Sequence, residues 1–441
     1  MLRSNTRRIE ERLRAVERAF LPDVERRALP PGVTIPTDQG DLLDGAEKVL
    51  RERSRGKPDP ALAERIATLR SWRSRAPGTD GLRDYSGRFG FAGVLRFDTS
   101  SGHRIYRIEA ETLPRHINNL HLILGGEGTL LHDAGSFLDS TWRDLGVGFA
   151  AIRSGWGEQT RIEDVDDIVV SHSHIDHFGG CAWFKENTGA RIHVHELDFR
   201  VLVDFDERIA FAEKELEIFF ERAGLSGDES DELLSLYVST KALVRSCEVD
   251  RILRDGDFIQ AGIEVIHTPG HCPGQICLRL GDHLLTADHV LPDISPHVGP
   301  ESITPHTGVT HYLEALEKVA SIEGIRRALP GHGEAIDDLY GRVDRIMVHH
   351  DRRLHKVITL CEEPRTVLDI CAGLFGRRTG YHRILALQET GAHVEHLHMT
   401  GRLKIANLDE IECGSASAYR YMRREGIETG GTFRRENAAD S

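Results

Sequence analysis

Apolar and polar positions give the chain three textures in turn. Over the first ~95 residues charges dominate, and apolar residues at helical spacing predict two helices, roughly Asn5 to Phe20 and Ala61 to Arg75. "LPPGVTIP" and "APGTDG" interrupt them, because Pro and Gly end helical patterns. From about Gly93 the pattern changes to short apolar runs between Gly-rich turns: "GVLRFDT", "RIYRIEAE" and "NLHLILGGEGTLLHDAG" read as strands. Strands then alternate with helices through about Val343, and "DDIVV", "GIEVIH", "HLLTA" and "IRRALP" each end at a polar segment. Between Phe205 and Val244 the period becomes helical. Phe205, Ile209, Ala212, Leu216 and Phe219 form one stripe, and Leu233, Leu236, Tyr237 and Val244 a weaker second.

After Val343, "HHDRRLHKVITLCEEPRTVLDICAGLFG" predicts two helices joined at Glu-Glu-Pro, with Thr366 as an N-cap. A third helix and a Gly-turn hairpin follow, and helix, helix, helix and wing is the shape of a winged-helix module. This divides the chain into a charged helical N-terminal extension (1–95), a domain of alternating strands and helices (96–345) with a helical insertion (205–245), a winged-helix-like domain (346–412) and a flexible tail (413–441).

Composition narrows the possibilities. With 39% hydrophobic and 29% charged residues, 441 residues are enough for two or three domains with real cores. The start is charged, without the apolar stretch of a signal peptide, and no run is long enough to span a bilayer, so we expect a cytoplasmic protein. Seven cysteines, odd in number and scattered, give no disulfide framework, and Cys272 reads as a packed thiol. A formal net charge of −14 repels a phosphate backbone, which disfavours nucleic acid as the main partner.

The candidate chemistry sits in "SHSHIDHFGG" (171–180). His172, His174, Asp176 and His177 leave the "DDIVV" strand on a loop, and a loop can aim positions i, i+2, i+4 and i+5 at one centre where a regular strand would split them between faces. Neutral imidazole is the commonest protein ligand for zinc-like ions, and carboxylates can hold a second ion. One loop cannot fill two sites. Other strand ends supply His271 in "HTPGHCPG", Asp288 in "LLTADHV" and His332 in "LPGHGE". His193 and His195 alternate like strand residues and are not read as ligands; His267, His289, His297 and His306 neighbour the motifs; His349, His350 and His355 are expected to decorate a helix.

These elements, in this order over about 250 residues, resemble the metallo-β-lactamase-fold hydrolases: "HSHIDH" is similar to their HxHxDH signature, and "LLHDAG", "TPGHCPG", "TADHV" and "PGHGE" to the other four motifs. The C-terminal segment resembles the subgroup with a winged helix, similar to β-lactamase-like protein 2. The resemblance implies an α/β fold, a four-layer αβ/βα sandwich with a dinuclear site at one edge of its two sheets. Carried over, His172, His174 and His271 would hold one ion, Asp176, His177 and His332 the other, Asp288 would bridge, and Asp133 would support the ligands from behind.

A donor set of imidazole and carboxylate without thiolate suits two divalent ions, zinc first, with iron or manganese as alternatives. The resemblance implies a metal-bound hydroxide as nucleophile, oriented by the catalytic Asp176. Gln275 stands where hydroxyacylglutathione hydrolases often carry His, so a glutathione thioester is not the expected substrate. The expected reaction is hydrolysis of an acyl bond, a thioester or related ester, on a small molecule, by a homodimer or higher homo-oligomer without membrane association. Phe205, Phe211, Phe219, Phe220 and His297 are the candidate pocket. The alternative is a phosphodiesterase or single-strand nuclease on the same ions, using Arg352, Arg353, Lys356, Arg377, Arg378 and Arg383 against phosphates.

Overall fold

The computed structural model describes residues 94–113, 116–241, 244–260 and 262–427. The two helices expected in the N-terminal extension and the tail beyond residue 427 lie outside them.

Two sheets carry the molecule. The first has seven strands in sequence order: β1 (Val94–Asp98), β2 (Arg104–Leu113), β3 (His116–Leu124), β4 (Leu130–His132), β5 (Asp167–Val169), β6 (Arg191–His195) and β7 (Arg251–Leu253). β1 to β4 pair antiparallel and β4 to β7 parallel. The second runs β11 (Arg327–Pro330), β10 (His283–Ala287), β9 (Ile276–Leu280), β8 (Ile263–His267), with β10 and β11 parallel.

Alternation along the strands builds the layers. On β2, Tyr106, Ile108 and Ala110 point outward to the helix α1 (Asp139–Trp156), meeting Leu145, Phe149 and Ile152, while Ile105 points inward. Inward residues of both sheets, among them Ile123, Val169, Val265, Leu278 and Leu329, form the apolar seam between them. The outer face of the second sheet packs Ile266, Leu284 and Ala328 against Tyr312 and Leu316 of a helix over Val309–Ala320. Helix, sheet, sheet, helix is the expected four-layer sandwich.

The elements that later carry the site follow in chain order: α2 (Ile175–Phe178), α3 (Cys181–Asn187), α4 (Phe199–Val203), α5 (Phe205–Ala223), α6 (Gly227–Lys241), α7 (Val309–Ala320), α8 (Leu339–Leu360), α9 (Val367–Phe375), α10 (Tyr381–Met399), β12 (Leu403–Ile405), α11 (Leu408–Glu412) and β13 (Tyr421–Arg423). Thr366 does cap α9: its hydroxyl accepts from Asp369 N at 3.1 Å and Asp369 accepts from Thr366 N at 3.0 Å.

Two boundaries differ from the expected ones. The 345/346 boundary falls inside α8, whose stripe of Leu339, Val343, Ile346, Leu354, Val357 and Ile358 is buried without a break in one core shared with Ile370, Leu397 and Leu403. The stretch after Cys413, rich in Ser and Gly and so read as loose, pairs Tyr421–Arg423 with β12 because Ile405 and Leu403 offer an unpaired strand.

The phenylalanine stripe also differs. Phe205 and Phe220 are fully packed, Phe205 against Phe178 and Phe220 with Leu216, Leu233, Ile384 and Leu387, while Phe211 is 59% exposed. Phe219 is wedged against Gly391 of α10 and Pro300. The helical period marked contact with α9 and α10 rather than the wall of a pocket. Phe220→Ala should therefore cost about 3–5 kcal/mol in denaturant unfolding, and Phe211→Ala almost nothing; equal effects would refute this packing.

Candidate metal centre

Strand direction assembles the site. Asp133 follows β4, the loop Ser171–His177 follows β5, His271 follows β8, Asp288 follows β10 and His332 follows β11, all at carboxyl ends along one edge of the two sheets. Close approach demands glycine here: a Cβ on Gly331 would meet Asp288 Oδ1 at 2.4 Å and His177 at 3.0 Å.

All seven expected residues converge. Donor atoms of His172, His174 and His271 lie within 4.8 Å of one another, as do those of His172, His177 and Asp288, and those of His116, Asp176 and His332. Asp288 links the groups. Its Oδ2 is 3.3 Å from His332 Nε2 and 3.9 Å from His271 Nε2, and its Oδ1 is 3.6 Å from His177 Nε2. Asp176 Oδ2 lies 3.6 Å from both His177 Nε2 and His332 Nε2.

The ring orientations are set from behind. His271 Nδ1 donates to His297 O at 2.6 Å, His332 Nδ1 to Ile117 O at 2.7 Å, and His177 Nδ1 bonds Asp133 Oδ2 at 2.8 Å, so each turns Nε2 inward. That is how metal-ligating imidazoles are usually held. Asp133 also accepts from Ser171 N at 2.7 Å and Ser171 Oγ at 2.8 Å, and it adopts a left-handed backbone (φ 67°) to reach them.

Does this set fit divalent ions? His271 Nε2 and Asp288 Oδ1 are buried without a hydrogen-bond partner among the described residues, and His172 Nε2 and His174 Nδ1 face each other at 2.9 Å. Buried polar atoms without partners are costly unless something else satisfies them. Burial first, then neighbouring imidazoles, pushes His172 and His174 well below the usual histidine pKa, and burial lowers His271, leaving neutral lone pairs. Burial would lower His177 too, but Asp176, Asp288 and Asp133 outweigh it and raise its pKa well above normal. Burial disfavours charge on Asp176 and Asp288, yet His177 and His332 hold both carboxyls well below the usual range. The field between these carboxylates favours a cation, and the donor set fits.

A sequence model described as the metallo-beta-lactamase superfamily matches residues 113–332, the span that contains every one of these strand ends. The chain belongs to the metallo-beta-lactamase superfamily. A crystal structure of a metallo-beta-lactamase family protein from Thermus thermophilus superposes with a TM-score of 0.58 at 27% identity, covering 73% of this chain and 98% of that one. The beta-lactamase-like protein 2 homolog of Drosophila melanogaster is 22% identical over 71% of this chain and 93% of its own. An acyl-coenzyme A thioesterase of Gallus gallus is 26% identical over 48% of this chain and 72% of its own.

Within this superfamily frame, the structure adds residues that the sequence did not mark. His116, at the start of β3, meets the His332 ring at a tilt of 53° with ring centres 4.5 Å apart, and places Nε2 3.1 Å from Asp176 Oδ2. Asn118 Nδ2 donates to Asp176 Oδ2 at 3.2 Å. Asp198 accepts from Ser173 N at 2.8 Å and Gly274 N at 3.0 Å, tying the first histidine loop to the loop of His271. A Cβ on Gly274 would strike its carboxyl carbon at 2.5 Å. Cys272 is buried beside Asp198, with its thiol pKa pushed up by burial, so it is a packed thiol as expected.

His297 contributes its backbone carbonyl to the orientation of His271, and its half-buried imidazole places Nε2 3.2 Å from Leu385 O on α10. The loop that carries it is held from α8, where Arg342 donates to Leu291 O and Ile294 O at 2.6 and 2.7 Å, and His350 bonds Ser295 Oγ at 2.8 Å. His350 therefore does not decorate a surface. It is fully buried and stacked on His393. His193 lies away from the cluster and pairs with Asp167 at 2.7 Å.

Proposed function

We propose that this chain hydrolyses an acyl bond of a small molecule, most simply a thioester, with His172, His174 and His271 holding one divalent ion, Asp176, His177 and His332 a second, and Asp288 between them. The observation that carries the reading is the placement of Asp288, one carboxylate facing ligands of both groups, in a set without thiolate. Such a set suits zinc, with iron or manganese as alternatives. Two bound divalent ions polarise the scissile carbonyl and lower the pKa of water. Asp176 Oδ2, fixed by His116 and Asn118, is the atom we assign to receive the proton of the attacking water.

Similarity to an acyl-coenzyme A thioesterase supports the acyl bond. So does the state of the basic residues a nuclease would need. Arg353 is paired with Glu389 and Arg383 with Glu229, which removes two of the six from phosphate binding, and the net charge of −14 opposes a polyanion. No helix among the described residues is long and apolar enough to cross a membrane. Seven unpaired cysteines support a reducing, cytoplasmic setting. We assign α8 to β13 a winged-helix-like form that steadies the loop of His297.

Purified, metal-loaded protein presented with thioesters, lactones and phosphodiesters should turn over thioesters best, and Arg377→Ala with Arg378→Ala should leave that rate and its salt dependence unchanged. Phosphodiester cleavage that weakens steeply with salt and with the arginine pair would make the nuclease reading correct.

A further inference from the structure

α8 and α10 meet across two histidines. His350 and His393 are both fully buried, their ring planes lie 13° apart, and His350 Nδ1 is 3.0 Å from His393 Nε2. The surrounding helix positions Ile346, Leu354 and Val394 belong to one apolar core. Leucine would pack such a junction without the cost of burying polar nitrogens, so the imidazoles are to be explained by their hydrogen bonds. Those bonds form a chain whose protons can be placed. Burial first, then His393 and Arg353 for His350, and Arg353 and His396 for His393, keeps both rings neutral. His393 Nδ1 lies 2.7 Å from Glu389 O, which only accepts, so the proton is on Nδ1 and Nε2 is a lone pair. His393 Nε2 therefore accepts from His350 Nδ1, and His350 Nε2 from the Ser295 hydroxyl at 2.8 Å. Each link has one direction.

The chain ends two residues from the carbonyl that supports a candidate ligand. Ser295 and His297 flank Pro296, whose fixed φ stiffens the segment. His297 Nε2 reaches Leu385 O, also on α10, at 3.2 Å, and His297 O accepts from His271 Nδ1 at 2.6 Å. On both sides of Pro296, then, the segment that orients His271 is tied to α10, once directly and once through the two imidazoles.

We propose that Ser295, His350 and His393 are positioning residues for the ion assigned to His172, His174 and His271: the chain fixes the His297 carbonyl, hence the His271 ring, and makes the affinity for that one ion depend on α10. This rests on the two-ion reading of the centre. His177 and His332 are oriented from Asp133 and Ile117 instead, so the second ion should be indifferent to the chain.

Zinc affinity, measured on the full chain by competition with a chromophoric chelator after the metal is stripped, tests this. Ser295→Ala, at a half-buried loop position, should weaken binding of one equivalent about 10-fold, the low end for groups behind a ligating histidine, and leave the other unchanged. Ser295→Thr keeps a hydroxyl donor and should restore it. His393→Leu should match Ser295→Ala, and His393→Gln, whose amide oxygen can take the place of Nε2, should recover part of the loss. Ser295→Ala should add nothing in a His271→Ala background and keep its full effect in a His332→Ala background. In protein labelled with 15N-histidine, His350 and His393 should both carry the proton on Nδ1. Should His393→Leu fail to fold, the serine pair and the tautomers decide the matter. A proton on Nε2 of His393 would overturn the chain, and so would equal weakening of both ions by Ser295→Ala, the mark of a general loss of structure. Two zinc ions bound with unchanged affinity in Ser295→Ala refute the positioning role alone, whereas wild type that binds no zinc refutes the two-ion centre and this role together.

Discussion

Replacing Asp176 with asparagine should lower kcat by on the order of 100-fold or more while the chain stays folded. The carboxylate lies 3.6 Å from both His177 and His332, and His116 and Asn118 fix the same oxygen from the other side. An amide keeps the shape and loses the charge, so it both weakens a cation site and removes the proton acceptor. KM should change far less than kcat, because the loss falls on the transition state. Circular dichroism would verify the fold, and steady-state kinetics on a thioester would read the effect. Near-wild-type kcat would remove Asp176 from the chemistry. His116→Ala, which takes away one contact to Asp176 Oδ2 and leaves the carboxylate in place, should fall between wild type and Asp176→Asn.

The second large effect belongs to Asp133. It is buried, accepts from the backbone and hydroxyl of Ser171, and orients His177. Asp133→Asn turns an acceptor into a donor opposite groups that already donate, which should cost about 3 kcal/mol of stability. Metal affinity should fall about 10–100-fold, as it does when the group behind a ligating histidine is lost. The pH dependence has a definite sign. Burial would raise the Asp133 pKa, but His132 and His177, with Ser171 N–H, outweigh it and depress it. A depressed carboxyl contributes stability that is fully present above the ordinary value of about 4 and is lost as pH falls through the native value. The gap in unfolding free energy between wild type and Asp133→Asn should thus narrow on acidification below about pH 4. A gap that widens there would contradict the role assigned to Asp133.

The candidate ligands were legible because each sits at the polar end of an apolar run, where strand direction dictates that loops meet. His172, His174, Asp176 and His177 are local in sequence, and His271, Asp288 and His332 repeat the same strand-then-histidine or strand-then-aspartate texture. His116 carried no such signal: it begins a strand, and the antiparallel pairing of β3 with β4 brings that beginning to the same edge. Asp198 was hidden for a similar reason, since its partners Ser173 and Gly274 are joined to it only by the fold. The phenylalanines show the opposite failure. A helical stripe reports that a face is buried without saying against what, and here α9 and α10 cover Phe219 and Phe220.

Elemental analysis tests the proposed two-ion centre bridged by Asp288 most directly. After purification without chelators, wild type should carry about two equivalents of zinc, iron or manganese per chain, chelator should abolish hydrolysis, and Asp288→Asn should retain about one equivalent or less. Protein that holds no metal and hydrolyses its substrate undiminished in chelator would contradict it.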